Sequence, residues 1–203
     1  CHIYRQVLKA FSPRPVVLRT LDVGGDKCLS YFPIEEKNPF LGWRGVRITL
    51  DHPELFLVQI RAMLKAGIGL ANLQLLLPMV TSITELDEAS LLIRKGYDEM
   101  VEEGFKVSMP RLGVMVEVPS TMFLLDFLAE RLDFISIGTN DLTQYLLAVD
   151  RNNDQVARLF SRLHPCVVRA LDLIISKSRQ LGLDVCLCGE LAGRSGGQRP
   201  ARA

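Results

Sequence analysis

The segment Ile135–Arg151 reads ISIGTNDLTQYLLAVDR and brings an amide, a carboxylate and a guanidinium near one point: Asn140, Asp141 and Arg151. That set suits a divalent cation together with an anionic, oxygen-rich substrate. It equally suits a plain strand, turn and helix in which Asn and Asp only cap the helix. Other segments offer matching chemistry. Arg19 ends the β-branched run Val16-Val17-Leu18, with Asp22 and Gly24-Gly25-Asp26-Lys27 just after it. A guanidinium at the end of a buried strand needs a partner. Arg44 stands beside the only Trp, with Arg47 three residues on. On a helix the two would share a face fit for phosphate or carboxylate, although spacing alone favours surface ion pairs. Glu117 closes the apolar run Leu112–Val118, and a carboxylate there needs a cation. Cys188 ends the run Val185–Leu187, whereas Cys186 lies within it as a small hydrophobe.

Taken together, Glu117 and Asp141 could hold Mg²⁺ or Mn²⁺, since magnesium takes one or two carboxylates plus water and substrate oxygens. Arg19, Arg44 and Arg151 would neutralise a phosphoryl group and a carboxylate. Asn140 would orient a substrate oxygen, and Cys188 would donate or take a proton at a substrate carbon. His2, His52 and His164 share no motif. His164, ahead of a Pro at a helix start, reads as structural.

The elements that must position these groups follow from periodicity. Helical spacing over Ile3–Phe11 ends at Ser12-Pro13. Pro53–Gly67 carries the apolar stripe Leu55, Phe56, Ile60, Met63 and Leu64. Leu73–Val80 is an apolar strand. Ser82 with Glu85 forms a capping box for a helix running to about Glu103. After the Leu112 strand come a helix over Thr121–Arg131, the Ile135 strand with its polar turn and helix, a helix over Cys166–Leu181, and a last strand at Val185–Leu187. Apolar strands alternating with helices predict a parallel sheet buried on both faces. Arg19, Glu117, Asn140, Asp141 and Cys188 then all fall at C-terminal strand ends, where such sheets and barrels build their sites.

Composition sets the outer bounds. The chain has 203 residues, 48% hydrophobic and 23% charged, with a formal net charge of +1, which disfavours nucleic acid or a membrane surface as main partner. No apolar run reaches the ~18 residues of a membrane span. The five cysteines show no C-x-x-C spacing, so reduced thiols in a cytoplasmic enzyme fit better than a disulfide framework. Residues 194–203 (RSGGQRPARA) lose the apolar periodicity and read as a disordered tail foreign to the domain at 1–193.

The motifs RTLDVGGDK (19–27), NPFLGWRGVR (38–47), GVMVEVP (113–119), IGTNDLTQYLLAVDR (137–151) and CGELAG (188–193) together resemble the C-terminal phosphoenolpyruvate-binding domain of the Enzyme I family. These are the phosphoenolpyruvate–protein phosphotransferases of the bacterial sugar phosphotransferase system. Pyruvate phosphate dikinase and phosphoenolpyruvate synthase share the superfamily, but the GGDK and NPFLGWRG stretches are more similar to Enzyme I. SYFPIEEKNPFLGWRGVRITLDHPELF (30–56) resembles its nitrogen-related paralogue in particular.

The resemblance implies a TIM-type (β/α)8 barrel and Mg²⁺-dependent transfer of a phosphoryl group from phosphoenolpyruvate to a protein histidine, releasing pyruvate. It implies that Arg19, Arg44 and Arg151 bind phosphoenolpyruvate, that Glu117 and Asp141 ligate Mg²⁺, that Asn140 contacts substrate, and that Cys188 protonates the enolate. A small His-containing phosphocarrier protein and homodimerisation come with the family. Measured against that pattern, the phosphohistidine domain, the first two barrel strands and the last βα unit are missing, leaving about five of eight strands. The expectation is an incomplete barrel, inactive alone and weakly folded. A dikinase- or synthase-type domain and a non-catalytic regulatory or dimerisation module are the alternatives.

Overall fold

A computed structural model describes residues 1–24 and 34–193. The loop residues Gly25, Asp26 and Lys27 and the 194–203 tail lie outside the described residues.

The elements run in alternation: α1 (His2–Phe11), β1 (Val16–Arg19), α2 (Val46–Asp51), α3 (Pro53–Gly67), β2 (Leu73–Leu77), α4 (Ile83–Glu102), β3 (Arg111–Val116), α5 (Pro119–Phe123), α6 (Leu125–Leu128), β4 (Phe134–Gly138), α7 (Thr139–Leu147), α8 (Pro165–Gln180) and β5 (Asp184–Cys188). The five strands among the described residues are all parallel, and each lies beside its sequence neighbours in the order β1-β2-β3-β4-β5. A doubly wound sheet reverses its order at a switch point. This one does not, and it curls as a half-barrel, in keeping with the TIM-type expectation of about five strands.

Strand alternation divides the sheet into two unlike faces. Leu75, Leu77, Val114, Val116, Ile135 and Ile137 point to the helices, where they meet Phe56, Ile60, Met63 and Leu64 of α3 and Leu86, Ala89 and Ile93 of α4. Burying each of the larger of these side chains contributes about 1.5–3 kcal/mol. The opposite face carries a small cluster of Leu76, Met115 and Phe134, with Cys188 against it. Gly113 makes that cluster possible, because a Cβ there would sit 2.5 Å from the Phe134 ring.

Several expectations are corrected. β1 is buried on one face only, with Val17 39% exposed, because helices cover just one side. The single helix expected over Thr121–Arg131 is broken at Leu124 into α5, α6 and a 3-10 turn; the break turns Leu125 and Leu128 into the core and leaves Phe123 and Phe127 outside. The polar Gly-Thr-Asn-Asp turn is absent, since α7 starts at Thr139 directly from the strand. Arg44 and Arg47 do not share a helix face. Gly45, at φ +58°, separates Arg44 from α2. Arg47 donates instead to the Leu41 and Gly42 carbonyls at 3.3 and 2.7 Å. Other readings hold: Ser82 and Glu85 form the capping box of α4, and His164 caps α8 by accepting from Cys166 N at 3.2 Å. Among the described residues no helix is long and apolar enough to cross a membrane.

Candidate active site

Glu117 follows the last residue of β3 and is fully buried. Two backbone features make room for it. Gly138 at the end of β4 has no side chain, and a Cβ there would lie 2.8 Å from Glu117 Cβ and 3.0 Å from Oε2. Met79, beyond β2, holds the left-handed φ of +58°, a strained choice for a side chain of that size. That conformation aims its N–H at Glu117 Oε1, 2.8 Å away. Glu117 Oε2 has no hydrogen-bond partner among the described residues. Burial first, then the charges of Asp141 and Asp22, push the Glu117 carboxyl from 4.5 up to about 8, against the opposing pull of the Met79 N–H and Arg44.

Around this carboxyl stands a charged network. The Arg44 side chain is only 1% exposed. Its Nη2 donates to Asp22 at 3.2 Å and lies 3.7 Å from Asp141 Oδ2. Asp22 also meets Arg19 Nη1 at 3.0 Å. Arg151 Nη1 lies 3.1 Å from Asp141 Oδ1, and its guanidinium stacks over the Phe40 ring at 5.7 Å. Arg19 and Arg151 keep 40% and 25% of their side chains exposed, so both present charge to the open end of the sheet. Asp141 sits in the first turn of α7, yet among the described residues that helix has no side-chain cap. The plain capping role is thereby excluded, and the Asp141 carboxylate serves the arginines.

On the far side of Glu117, Cys188 ends β5, and its Sγ donates to the Ile137 carbonyl at 3.2 Å. Burial raises its thiol pKa, opposed by the Ser136 hydroxyl and reinforced by Cys186 and Glu117. The group is therefore held as a thiol, with a proton to give. Thr139 Oγ1 ties the next turn down by donating to the Cys188 carbonyl at 3.0 Å. Gly189, at φ +93°, allows that closeness, for a Cβ would lie 2.6 Å from Thr139 Oγ1. Asn140 accepts from Arg162 Nε at 3.0 Å.

Arg19, Arg44, Glu117, Asp141 and Arg151 therefore gather into one network at the C-terminal end of the sheet, with Asn140 and Cys188 across β4 and β5. The donor set fits a hard divalent cation: carboxylate oxygens, one of them buried without a hydrogen bond, in a place where burial, reinforced by the negative charge of Asp141 and Asp22, favours a proton on Glu117. No group of three or more His, Cys, Asp or Glu side chains able to hold a metal occurs among the described residues, so a cation here would take further oxygens from water and substrate.

Three participants escape the sequence reading as site residues. Asp22 stands three residues after Arg19, a spacing that marks an ion pair. Tyr145, one helical turn beyond Asp141, donates to the Phe40 carbonyl and lies 3.9 Å from Met79 Sδ. Burial pushes its phenol up to about 12, so it remains a donor and ties the Asn38–Arg44 segment to α7. Arg162 lies in irregular chain ahead of α8, where no periodicity points to it.

Residues 1–199 match the family described as PEP-utilising enzyme, PEP-binding domain. A Salmonella typhimurium protein, "Phosphoenolpyruvate-dependent phosphotransferase system", is 58% identical over 191 residues, which is 94% of this chain and 26% of that protein. Its Escherichia coli K12 namesake is 56% identical over the same shares. A "Phosphoenolpyruvate-protein phosphotransferase" of Staphylococcus carnosus is 43% identical over 94% of this chain and 33% of its own length. The chain thus spans about a quarter to a third of these relatives. With the family model matching residues 1–199 and relatives 43–58% identical over 94% of the chain, the chain belongs to the PEP-utilising enzyme, PEP-binding domain family.

Proposed function

We propose that this chain is the substrate-binding and proton-donating part of a phosphoenolpyruvate–protein phosphotransferase. The observation that carries the reading is the buried Glu117, with one oxygen lacking a hydrogen bond, set against Asp141 and the guanidinium groups of Arg19, Arg44 and Arg151. The relatives' names supply the substrate class.

In this reading Glu117 and Asp141 hold Mg²⁺, or Mn²⁺ in its place. When bound, the ion neutralises charge on the phosphoryl and enol oxygens. Arg19 and Arg151, at the open end, grip the phosphoryl group and the carboxylate of phosphoenolpyruvate. Arg44, held by Asp22, is preorganised beneath them and needs no rearrangement as charge develops. The Asn140 amide orients a substrate oxygen. The bond between phosphorus and the enol oxygen breaks, and phosphorus joins a histidine nitrogen of a separate domain. The enolate left behind takes the Cys188 S–H proton at its methylene carbon, which yields pyruvate and a thiolate that solvent reprotonates. A thiol pKa raised by burial keeps that proton in place until the enolate forms.

Residues 1–193 act in this reading as part of a larger barrel, within a cytoplasmic homodimer that passes the phosphoryl group to a small His-containing carrier protein. The phosphotransferase names of the relatives favour this over a dikinase or synthase. The presence of Glu117, Asp141 and Cys188 together argues against a non-catalytic module.

Calorimetric titration with oxalate, a mimic of the enolate, tests the proposal. Binding is expected with Mg²⁺ and not without it, and Asp141→Ala is expected to abolish it. Oxalate affinity that ignores Mg²⁺, or that survives Asp141→Ala unchanged, overturns the assignment.

A further inference from the structure

Arg162 belongs to none of the strand ends, yet its guanidinium reaches into the site from the segment that precedes α8. Nε donates to Asn140 Oδ1 at 3.0 Å. Nη2 meets Glu190 Oε2 at 2.5 Å. The Phe160 ring lies 5.2 Å from its central carbon and supports the planar group from one side. Three-quarters of the side chain is covered. One planar cation thus joins the first turn of α7 to the turn that follows Cys188.

The chemistry of these groups gives the contact a consequence. A guanidinium only donates hydrogen bonds, and a carboxamide has one accepting and one donating end. Facing Arg162, Asn140 must present its oxygen there, which turns its NH₂ group away from Arg162. Arg162 therefore decides which end of Asn140 a substrate meets. Glu190 lies two residues beyond Cys188, in a turn that the Thr139 hydroxyl already ties to α7 through the Cys188 carbonyl. Gly189 lies directly against the Asn140 carboxamide, as a Cβ there would be 3.5 Å from Oδ1. The ion pair with Glu190 closes the same joint a second time.

We propose that Arg162 is a positioning residue of this site: it fixes the Asn140 amide as a donor toward an anionic substrate and locks the Cys188 turn against α7. The inference rests on the proposed function for the identity of that substrate and on geometry alone for the Arg162–Asn140 coupling. Arg162 is not required for holding the cation, which falls to Glu117 and Asp141.

Two measurements on the full chain test it. In the first, ¹⁵N-edited NMR follows the Asn140 side-chain amide without any ligand. Arg162→Met is expected to shift and broaden that pair of resonances. Arg162→Lys is expected to shift them less, since an ammonium can still donate to Oδ1. Arg169→Met, which breaks only an exposed ion pair with Asp172 on α8, is expected to leave them in place. Unmoved Asn140 resonances in a folded Arg162→Met protein overturn the coupling, whatever the substrate.

The second measurement is oxalate titration with Mg²⁺ for wild type, Arg162→Met, Asn140→Ala and the double variant. Arg162→Met is expected to weaken oxalate by about tenfold, the lower end for a residue that orients a ligating group, with Mg²⁺ affinity unchanged. In the Asn140→Ala background the same change is expected to cost little more, because the two act through one contact. Additive losses, or a parallel loss of Mg²⁺ affinity, would mean that Arg162 merely supports the fold. A wild type that binds no oxalate would show that the site needs the rest of the larger barrel, and leaves the amide resonances to judge the coupling.

Discussion

The two ends of the sheet are built on opposite terms. At the N-terminal end the polar groups serve packing and solvent, although the buried Asn72 Oδ1 has no hydrogen-bond partner among the described residues. Asn72 donates to the Leu8 and Arg14 carbonyls and holds α1 to the sheet. Asp133 accepts from Leu112 N at 2.8 Å, and Arg111 pairs with Asp184 in the open. At the C-terminal end Asp22, Arg44, Glu117 and Asp141 crowd together out of water, a Met backbone is forced to positive φ, and a buried carboxylate oxygen lacks a hydrogen bond. One end holds the fold. The other is stressed by charge and geometry that a bound cation and anion would relieve. The contrast predicts that equal chemical changes at the two ends have unequal effects.

The largest effect is expected from Arg44→Met. A buried guanidinium shared by Asp22 and Asp141 is removed, and both carboxylates lose a cation. Breaking a buried pair from one side costs about 3–5 kcal/mol. Urea unfolding at pH 7 reads this directly as a lower midpoint at similar slope. A loss below 1 kcal/mol would erase the contrast, because it would mean that water reaches the network freely.

Glu117→Gln probes the same end with the opposite sign. The Glu117 carboxyl titrates near 8 when folded, against 4.5 as its ordinary value. The folded chain therefore holds this proton more tightly than the unfolded chain does. Its contribution to stability is complete below about pH 4.5 and is lost as pH rises toward about 8. Gln cannot lose a proton, so the variant escapes that loss. Thermal melts of the metal-free proteins should give a variant whose advantage over wild type grows from pH 5 to pH 8 and then levels off. Mg²⁺ should shrink that advantage by stabilising the ionised wild-type carboxylate. An advantage independent of pH would show that Glu117 is ionised throughout.

How much of this contrast can be read from sequence depends on the kind of contact. Parallel strands, their helices and the capping box at Ser82 follow from local pattern, because periodicity and caps are written within one turn or one strand. Chemically reactive residues at strand ends are legible for the same reason: Glu117 and Cys188 stand where apolar runs stop. What pattern does not carry is geometry set by tertiary neighbours. Nothing in LLLPMVTS marks Met79 as a residue of positive φ, because that conformation exists to present one N–H to a glutamate from the next strand. Arg44 and Arg47 look alike at a spacing of three, yet Arg44, before Gly45, is buried against Asp22, while Arg47, in α2, reaches back to the Leu41 and Gly42 carbonyls. Arg162 joins residues more than twenty positions away through irregular chain, where periodicity has no meaning. The helix over Thr121–Arg131 fails for a related reason: its apolar spacing is right, but burial of Leu125 and Leu128 decides where it breaks.

The smallest effect is expected at the other end, from Arg111→Met. Its ion pair with Asp184 is short, 2.6 Å, and links β3 to β5 across β4. By distance alone it is tighter than the 3.2 Å contact of Arg44 with Asp22. Yet Arg111 and Asp184 keep 45% and 72% of their side chains in water, so solvent already screens what the pair gains. Exposed pairs contribute about 0–1 kcal/mol, and Met keeps an aliphatic stem of similar length. The Asp133 carbonyl loses a donor at 2.9 Å, but water can replace it. Urea unfolding of Arg111→Met should therefore give a midpoint close to wild type. Set beside Arg44→Met under the same conditions, it separates distance from burial: a tight pair in water should count for little, and a looser pair out of water for much. A large loss at Arg111 would mean that the exposed end of the sheet also depends on charge, and that the division of labour between the two ends is a matter of degree.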